Sequence, residues 1–273
     1  MSIRQFVQEA LCEDLGRGDL FALIAEDREA CAHIIAKEEG IFSAQAYIEA
    51  LCAMQGLKLE MCVQDSQAFE SRQILGIVRG SYVKILQAER TLLNLIAHSS
   101  GIATHTHAFV QCAGSVKILD TRKTRPLLRM FEKYSVRNGG AHNHRFGLDD
   151  ALMLKDTHLA LISDLESTLV RARKNLPWTC KIEIEVEDYA MAQRAFEAGA
   201  DIVMCDNMSP TEIRRVVALR NERYPHIALE ASGNITLDNI AAYAQSGIDA
   251  LSIGALIHQA RWLDVSLKMQ FNA

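Results

Sequence analysis

Residues 120–145 read DTRKTRPLLRMFEKYSVRNGGAHNHR. With Lys117 just ahead, they gather Arg122, Lys123, Arg125, Arg129, Lys133, Arg137 and Arg145 against Asp120 and Glu132, in a 273-residue chain of formal net charge -5. Arginine grips carboxylates and phosphates through two parallel N–H bonds, and lysine offers a mobile point charge, so such a cluster suits an anionic substrate. Further on, polar residues fall directly after short apolar runs. Asp120, Thr121, Arg122 and Lys123 follow VKIL (116–119), and Lys155 and Asp156 follow ALML (151–154). Glu183, Glu185 and Glu187 stand within and after IEIEV (182–186), and Asp206 and Asn207 follow DIVMC (201–205). Ser232, Gly233 and Asn234 follow IALEA (227–231), and Ala255, with His258 three residues on, follows ALSIG (250–254), which ends in Ile253 and Gly254. Cations come early and carboxylates later. That order fits a substrate carrying several anionic groups together with Mg²⁺, which Asp and Glu hold while water and phosphate fill its remaining positions.

Each residue also has a plainer reading. A strand-end Lys can be structural, an Asp at a strand-to-helix joint is often a cap, and His258 alone suits a core or capping role. Arg125, Arg129, Lys133 and Arg137 fit the solvated face of a helix beginning near Pro126. His142 and His144 are two apart with no evident third ligand, which argues against zinc, and His144 reads instead as a hydrogen-bond donor to substrate. The joint placement of the polar residues carries the functional reading.

The elements that must position these groups follow from the same runs. From about Val116, apolar runs alternate with helical-period segments, the signature of βαβ units and a parallel sheet. Gly199 and Gly247 fit helix C-caps. Ser209, Pro210 and Glu212 make a capping box with proline at the first helical position, and Thr236 is expected to cap the next helix in the same way. Six such units are too few for an eight-stranded barrel of about 250 residues, so an incomplete α/β barrel is expected over 111–273, its active-site residues at the C-terminal strand ends. Residues 1–110 read as a separate α/β domain: a helical start, a strand within 31–43, a helix near 44–55, a hairpin over 74–86 and a helix over 87–100. The last residues of the chain are expected to return to it.

With 49% hydrophobic and 23% charged residues the chain can bury a large core. A pI near 6.0 and merely local basic clustering exclude a general nucleic-acid binder. The seven cysteines are scattered without a Cys-x-x-Cys pair and read as reduced thiols. The N-terminus lacks the apolar run of a signal peptide, and no stretch of eighteen apolar residues occurs, so a cytoplasmic protein without membrane contact is expected.

The motifs DTRKTRP, EKYSVRNGGAHNHRFGL, LKDTH, EIEVED, CDNM, LEASGNI and SIGALIH, in this order and spacing, resemble quinolinate phosphoribosyltransferase, a type II phosphoribosyltransferase. EDLGRGDL and QAERTLLNLIAHSSGIAT extend the resemblance over nearly the whole chain. It implies conversion of quinolinate and phosphoribosyl pyrophosphate to nicotinate mononucleotide, pyrophosphate and CO₂ in NAD biosynthesis, with Mg²⁺. It also implies an N-terminal α/β sandwich, an incomplete TIM-like barrel and a homodimer with shared sites, with higher assembly left open. Carried over by motif, Thr121, Arg122, His144 and Arg145 hold quinolinate, and Arg90 reaches the partner's site. Lys123 and Lys155 contact phosphate or carboxylate, Glu185 and Asp206 face the ribose and the metal-bound pyrophosphate, and Ser232–Asn234 with Ile253–Ala255 and His258 cradle the 5′-phosphate. Two positions depart from the family pattern: Leu127 stands where glycine is common, expected to open a helix, and Asn234 replaces a second glycine. A same-fold enzyme acting on nicotinate or another base, and a non-catalytic barrel that senses a phosphorylated metabolite, are the alternatives.

Overall fold

The computed structural model describes residues 2–270, which divide into two compact units. The first unit comprises Met1–His107, Tyr134–Gly140 and Ala260–Ala273; the second comprises Ala108–Lys133 and Ala141–Gln259. The sequence division at 110 thus lies close to the first junction, but the short segment 134–140, assigned by sequence to the barrel, belongs to the first unit.

The first unit begins with helix α1 (Ile3–Leu15). Ser2 starts it with a capping box shared with Gln5, which satisfies two otherwise orphaned N–H groups. A 3-10 turn (Phe21–Leu23), β1 (Glu29–Ala36), β2 (Gly40–Ile41), α2 (Gln45–Gln55), β3 (Lys58–Met61), β4 (Ala68–Phe69) and β5 (Ile74–Ser81) follow. Along β1, Ala32, Ile34 and Ala36 are buried while the residues between them are less so, the period-two pattern of a sheet with one covered face. The residues after β5 do not fold back as a hairpin. Helix α3 starts at Tyr82 and runs to Ala113, so VKIL (83–86) is helical. Short apolar runs fit strand and helix alike, and here Ile85, Ala88, Leu92 and Ile96 recur at helical spacing and are all buried. Ser81 Oγ accepts the Lys84 N–H at 3.2 Å and starts the helix.

In the second unit, β6 (Lys117–Leu119), the first half of α4 (Arg129–Asn138, of which 134–138 belong to the first unit), β7 (Leu152–Leu154), α5 (Asp156–Leu159), α6 (Leu165–Asn175), β8 (Ile182–Val186) and α7 (Tyr189–Glu197) come first. Then come β9 (Ile202–Asp206), α8 (Pro210–Arg223), β10 (Ala228–Ser232), α9 (Ile240–Ala244), β11 (Ala250–Ser252) and α10 (Ala255–His258). The six strands form one sheet in the order β6-β11-β10-β9-β8-β7, and every pairing is parallel. This is the incomplete barrel the apolar runs predicted. All five residues of β8 are buried, as a strand covered on both faces requires. The capping box of Ser209 and Glu212 forms ahead of α8, and Gly199 and Gly247 take the left-handed φ values, +82° and +88°, that end helices. Thr236 does not cap its helix: its N–H donates to Asn239 Oδ1, and α9 starts only at Ile240. Nor does a helix open at Pro126, because Leu127 has φ +66° and turns the chain before α4 begins at Arg129.

A final strand, β12 (Val265–Gln270), pairs antiparallel with β1, giving the first unit a sheet of order β12-β1-β5-β3 beside the small β2-β4 pair. Among the described residues, no helix is long and apolar enough to cross a membrane.

Candidate active site

At the C-terminal ends of the parallel strands lies a cavity of about 420 Å³. Its walls include Thr121, Arg122, Lys123, His144, Arg145, Lys155, Glu185, Asp206, Ser232, Gly233 and Asn234. Asp120, Met153, Met204, Asn207 and Ser252 complete the lining. The sequence-predicted residues after β6, β7, β8, β9 and β10 therefore meet in one place. Ile253 and Ala255 are buried beside it and do not line it. Lys123 and His258 flank Gly254: a Cβ there would meet Lys123 Cδ at 3.1 Å and His258 Nε2 at 3.2 Å. Arg90 is exposed on α3 and is not among the lining residues.

The cationic side of the cavity is built from two loops. The first follows β6 and carries Arg122 and Lys123; Thr121 Oγ1 accepts the Lys123 N–H at 3.0 Å. The second carries His144 and Arg145 and is laid against the edge of β6 by two backbone bonds, His142 N–H to Ile118 O at 2.8 Å and Asp120 N–H to His142 O at 3.1 Å. Arg145 donates to Ala151 O at 3.0 Å and lies 3.3 Å from Met153 Sδ. Burial lowers its pKa and the neighbouring Arg122 lowers it further, while Glu183 and Glu185 offset part of this, so two guanidinium groups face the same space with their mutual repulsion only partly relieved.

The acidic side comes from alternate residues of β8 and the end of β9. Glu183 and Glu185 are two apart in β8 and so share a face. Glu185 pairs with Lys155 Nζ, and Asp206 Oδ2 accepts from Asn207 Nδ2 at 2.7 Å. Glu183 and Glu230 form a deeper layer with His144, whose Nε2 lies 3.3 Å from the one and 3.4 Å from the other. Ser252 Oγ donates to Glu230.

These contacts tie His144 to two carboxylates as well as to the cavity. Burial alone lowers the imidazole pKa, but Glu183 and Glu230 more than reverse this and raise it to about 10. The Arg145 N–H points at Nδ1 from 2.8 Å, a bond that competes with the second ring proton of an imidazolium. Nε2 thus faces two carboxylates and Nδ1 lies on the Arg145 N–H, while the ring still lines the cavity. Burial and the nearby Glu230 push the Glu183 carboxyl above its usual range, and its Oε1 has no hydrogen-bond partner among the described residues. His144, Glu183 and Glu230 bring one donor atom each within 4.8 Å of one another and form the floor of the site. The sequence signal for it was a carboxylate in the middle of each of two buried strands, where charge is rare without a partner.

Asn207 was noted as following β9 but given no role, and it locks two loops together. Its backbone has φ +55°, its N–H donates to Ser232 O at 2.9 Å, and its Oδ1 accepts from Asn234 Nδ2 at 3.0 Å. Asn234, at φ +53°, and Gly233, at φ +94°, make the tight turn around it. A Cβ on Gly233 would lie 2.2 Å from Asn207 Oδ1, so glycine is required there by contact as well as by φ.

An incomplete parallel barrel whose strand ends present clustered arginine and lysine opposite carboxylates defines an enzyme that handles phosphorylated, polyanionic substrates. The family model described as quinolinate phosphoribosyl transferase, N-terminal domain, matches residues 19–100, and that of the C-terminal domain matches 102–268. The chain belongs to the quinolinate phosphoribosyltransferase family. It is 36% identical to the probable nicotinate-nucleotide pyrophosphorylase (carboxylating) of Bacillus subtilis, over 98% of this chain and 93% of that one. It is 37% identical to the protein of the same description from Methanothermobacter thermautotrophicus, over 97% and 98%. The solved nicotinate-nucleotide pyrophosphorylase of Francisella tularensis superposes with a TM-score of 0.91 at 35% identity, covering 98% of this chain and 96% of that one.

Proposed function

We infer that this enzyme transfers the phosphoribosyl group of phosphoribosyl pyrophosphate to the ring nitrogen of quinolinate, releasing pyrophosphate and CO₂ and forming nicotinate mononucleotide for NAD biosynthesis. The observation that carries the reading is the meeting of Arg122, Lys123, Arg145 and Lys155 with Glu185 and Asp206 on one cavity. Two polyanions must share that space. A phosphate monoester alone carries about -1.5 to -2 charges at neutral pH, and the diphosphate and two ring carboxylates add to it.

Arg122 and Arg145 are placed to take the quinolinate carboxylates, whose arrival relieves the repulsion between the two guanidiniums. Lys155 is paired with Glu185 before substrate binds, and an incoming carboxylate or phosphate competes for it. That exchange frees Glu185 to face the positive charge that grows on the ribose as the anomeric carbon loses pyrophosphate. The ring nitrogen attacks that carbon and becomes cationic. The adjacent C–C bond then breaks, CO₂ leaves, and the electron pair left on the ring carbon is stabilised by the cationic nitrogen until it takes up a proton. The backbone turn at Ser232–Asn234 suits the 5′-phosphate, with Lys123 and His258 close by at Gly254.

Glu185 and Asp206 offer hard oxygen donors without forming a closed cage, which suits Mg²⁺ held partly through water and partly by diphosphate. When bound, the ion would neutralise charge on the leaving diphosphate. Arg90, exposed on α3, fits a homodimer in which each subunit lends it to its partner's site, and the scattered thiols fit a cytoplasmic enzyme. The deciding experiment supplies purified protein with quinolinate, phosphoribosyl pyrophosphate and Mg²⁺ and measures nicotinate mononucleotide and CO₂ together. Product from nicotinate but none from quinolinate would overturn the assignment. Mixing an Arg90→Ala subunit with a Lys155→Ala subunit tests the shared site, since activity should reappear only if one subunit completes the other.

A further inference from the structure

We propose that Arg129, Glu132 and Lys133, on one face of α4, are positioning residues that set quinolinate recognition by fixing the two cation-bearing loops relative to each other. They stand at i, i+3 and i+4, so their side chains share a face. Glu132 and Lys133 are both fully buried, which an ordinary solvated helix face does not allow.

Glu132 closes the first loop. Its carboxylate accepts the Arg125 N–H at 2.9 Å and the Arg125 Nη1 at 2.7 Å, and this fixes the chain just beyond Arg122 and Lys123. Lys133 closes the second. Its Nζ donates to Asp120 and to His144 O, the latter at 2.8 Å, and sits 5.0 Å from the centre of the Phe146 ring. Asp120 in turn accepts the His144 N–H at 2.8 Å and Asn143 Nδ2 at 2.6 Å. Arg129 touches both loops, with Nε 3.2 Å from Thr124 Oγ1 and Nη1 2.8 Å from Phe146 O.

The buried pair has a physical cost. Burial lowers the Lys133 pKa and raises that of Asp120 against their mutual attraction, and a well-packed apolar pair would serve stability as well. What an apolar pair lacks is direction. Lys133 and Asp120 together fix the backbone of His144 from both sides, immediately before Arg145. The loops they fix carry Arg122 and Arg145, which repel one another and are only partly compensated by Glu183 and Glu185, so the anchors set the separation of the two guanidiniums that a dicarboxylate would span. The bonds of Arg129, Glu132 and Lys133 named above end on the loops that carry Arg122 and Arg145, whereas the phosphoribosyl half of the reaction is expected at the loops after β9 and β10.

The proposal rests on the quinolinate reading, and two measurements separate the two. Lys133→Met and Glu132→Gln, both close in shape to the originals, are compared with wild type by steady-state kinetics and by amide hydrogen exchange. Each variant is expected to raise KM for quinolinate at least tenfold while KM for phosphoribosyl pyrophosphate stays within twofold. Exchange should rise in 121–125 and 142–146 and stay unchanged in 206–209 and 232–234. Equal rises in both KM values, or none, would overturn the recognition role, and unchanged exchange in the two loops would overturn the clamp itself. If the wild type does not turn over quinolinate, the functional reading falls, and the exchange comparison still judges the clamp. Should Lys133→Met fail to fold, Glu132→Gln, which keeps every apolar contact, decides alone.

Discussion

Replacing Gly233 by alanine strikes the turn that joins the loops after β9 and β10. Its φ of +94° is unfavourable for an L-residue by about 1–2 kcal/mol. The new Cβ would also sit 2.2 Å from Asn207 Oδ1 and 2.9 Å from Asn207 N, so the Asn207 side chain must move by roughly 1 Å to restore van der Waals distance. That movement breaks the 3.0 Å bond from Asn234 to Asn207, worth about 0.5–1.5 kcal/mol. The sum is a loss of about 1.5–3.5 kcal/mol, read as a fall in Tm of roughly 3–14 °C for a chain of this size. Because the turn is expected to hold the 5′-phosphate, a displacement near 1 Å should also lower kcat/KM for phosphoribosyl pyrophosphate by about 100-fold. Thermal unfolding and initial rates at varied phosphoribosyl pyrophosphate measure both. Asn207→Ala removes the atoms the new methyl meets first, so the double variant should be more stable than the summed single losses require. Strict additivity, or a Gly233→Ala protein with wild-type Tm and KM, would refute the reasoning.

Arg145→Ala and Lys155→Ala should each abolish turnover with the fold intact by circular dichroism; near-normal rates in either would remove that residue from the mechanism. Ser209→Ala deletes the side-chain half of the capping box ahead of α8 and should cost about 1 kcal/mol in denaturant unfolding. Arg261 holds Glu38 through two bonds, 2.9 and 2.5 Å, and lowers its pKa below the usual 4.5. The pair therefore adds stability above pH 4.5 that is lost as the pH falls through the lowered value. With Arg261 largely exposed, Arg261→Ala should cost about 1 kcal/mol or less at pH 7, and the difference should vanish in acid-unfolding curves once the pH is well below the lowered Glu38 pKa. Leu127→Gly relieves a left-handed residue whose side chain is 86% exposed. After the added freedom of the unfolded chain is subtracted, it should be neutral to about 1 kcal/mol stabilising.

The parallel strands were legible because each needs an apolar run covered on both faces, and the polar residue ending each run marks the cavity. Asp206 and Lys155 could be placed this way without coordinates. The hairpin expected at 74–86 does not form, because VKIL suits strand and helix equally and the Ser81 cap that decides the matter is a single hydroxyl. Lys133 looked like its neighbours Arg125 and Arg137 because charge type does not reveal burial. Its partner Asp120 lies thirteen residues earlier, across a turn that only the left-handed Leu127 discloses. The role of His144 depended on where two carboxylates from β8 and β10 end up, which is a property of sheet order, and no local pattern encodes it.

The pairing of β12 with β1 has a bearing on how the chain is made. Every strand of the parallel sheet is translated between these two partners, since β1 ends at Ala36 and β12 begins at Val265. At synthesis rates of about 5–20 residues per second, β1 waits on the order of ten to fifty seconds for its outer neighbour. During that interval one edge of the first sheet is open, and an open edge is a template for pairing with another chain. The nascent protein is therefore most prone to misassociation late in translation, after its catalytic unit has emerged and before its last strand arrives.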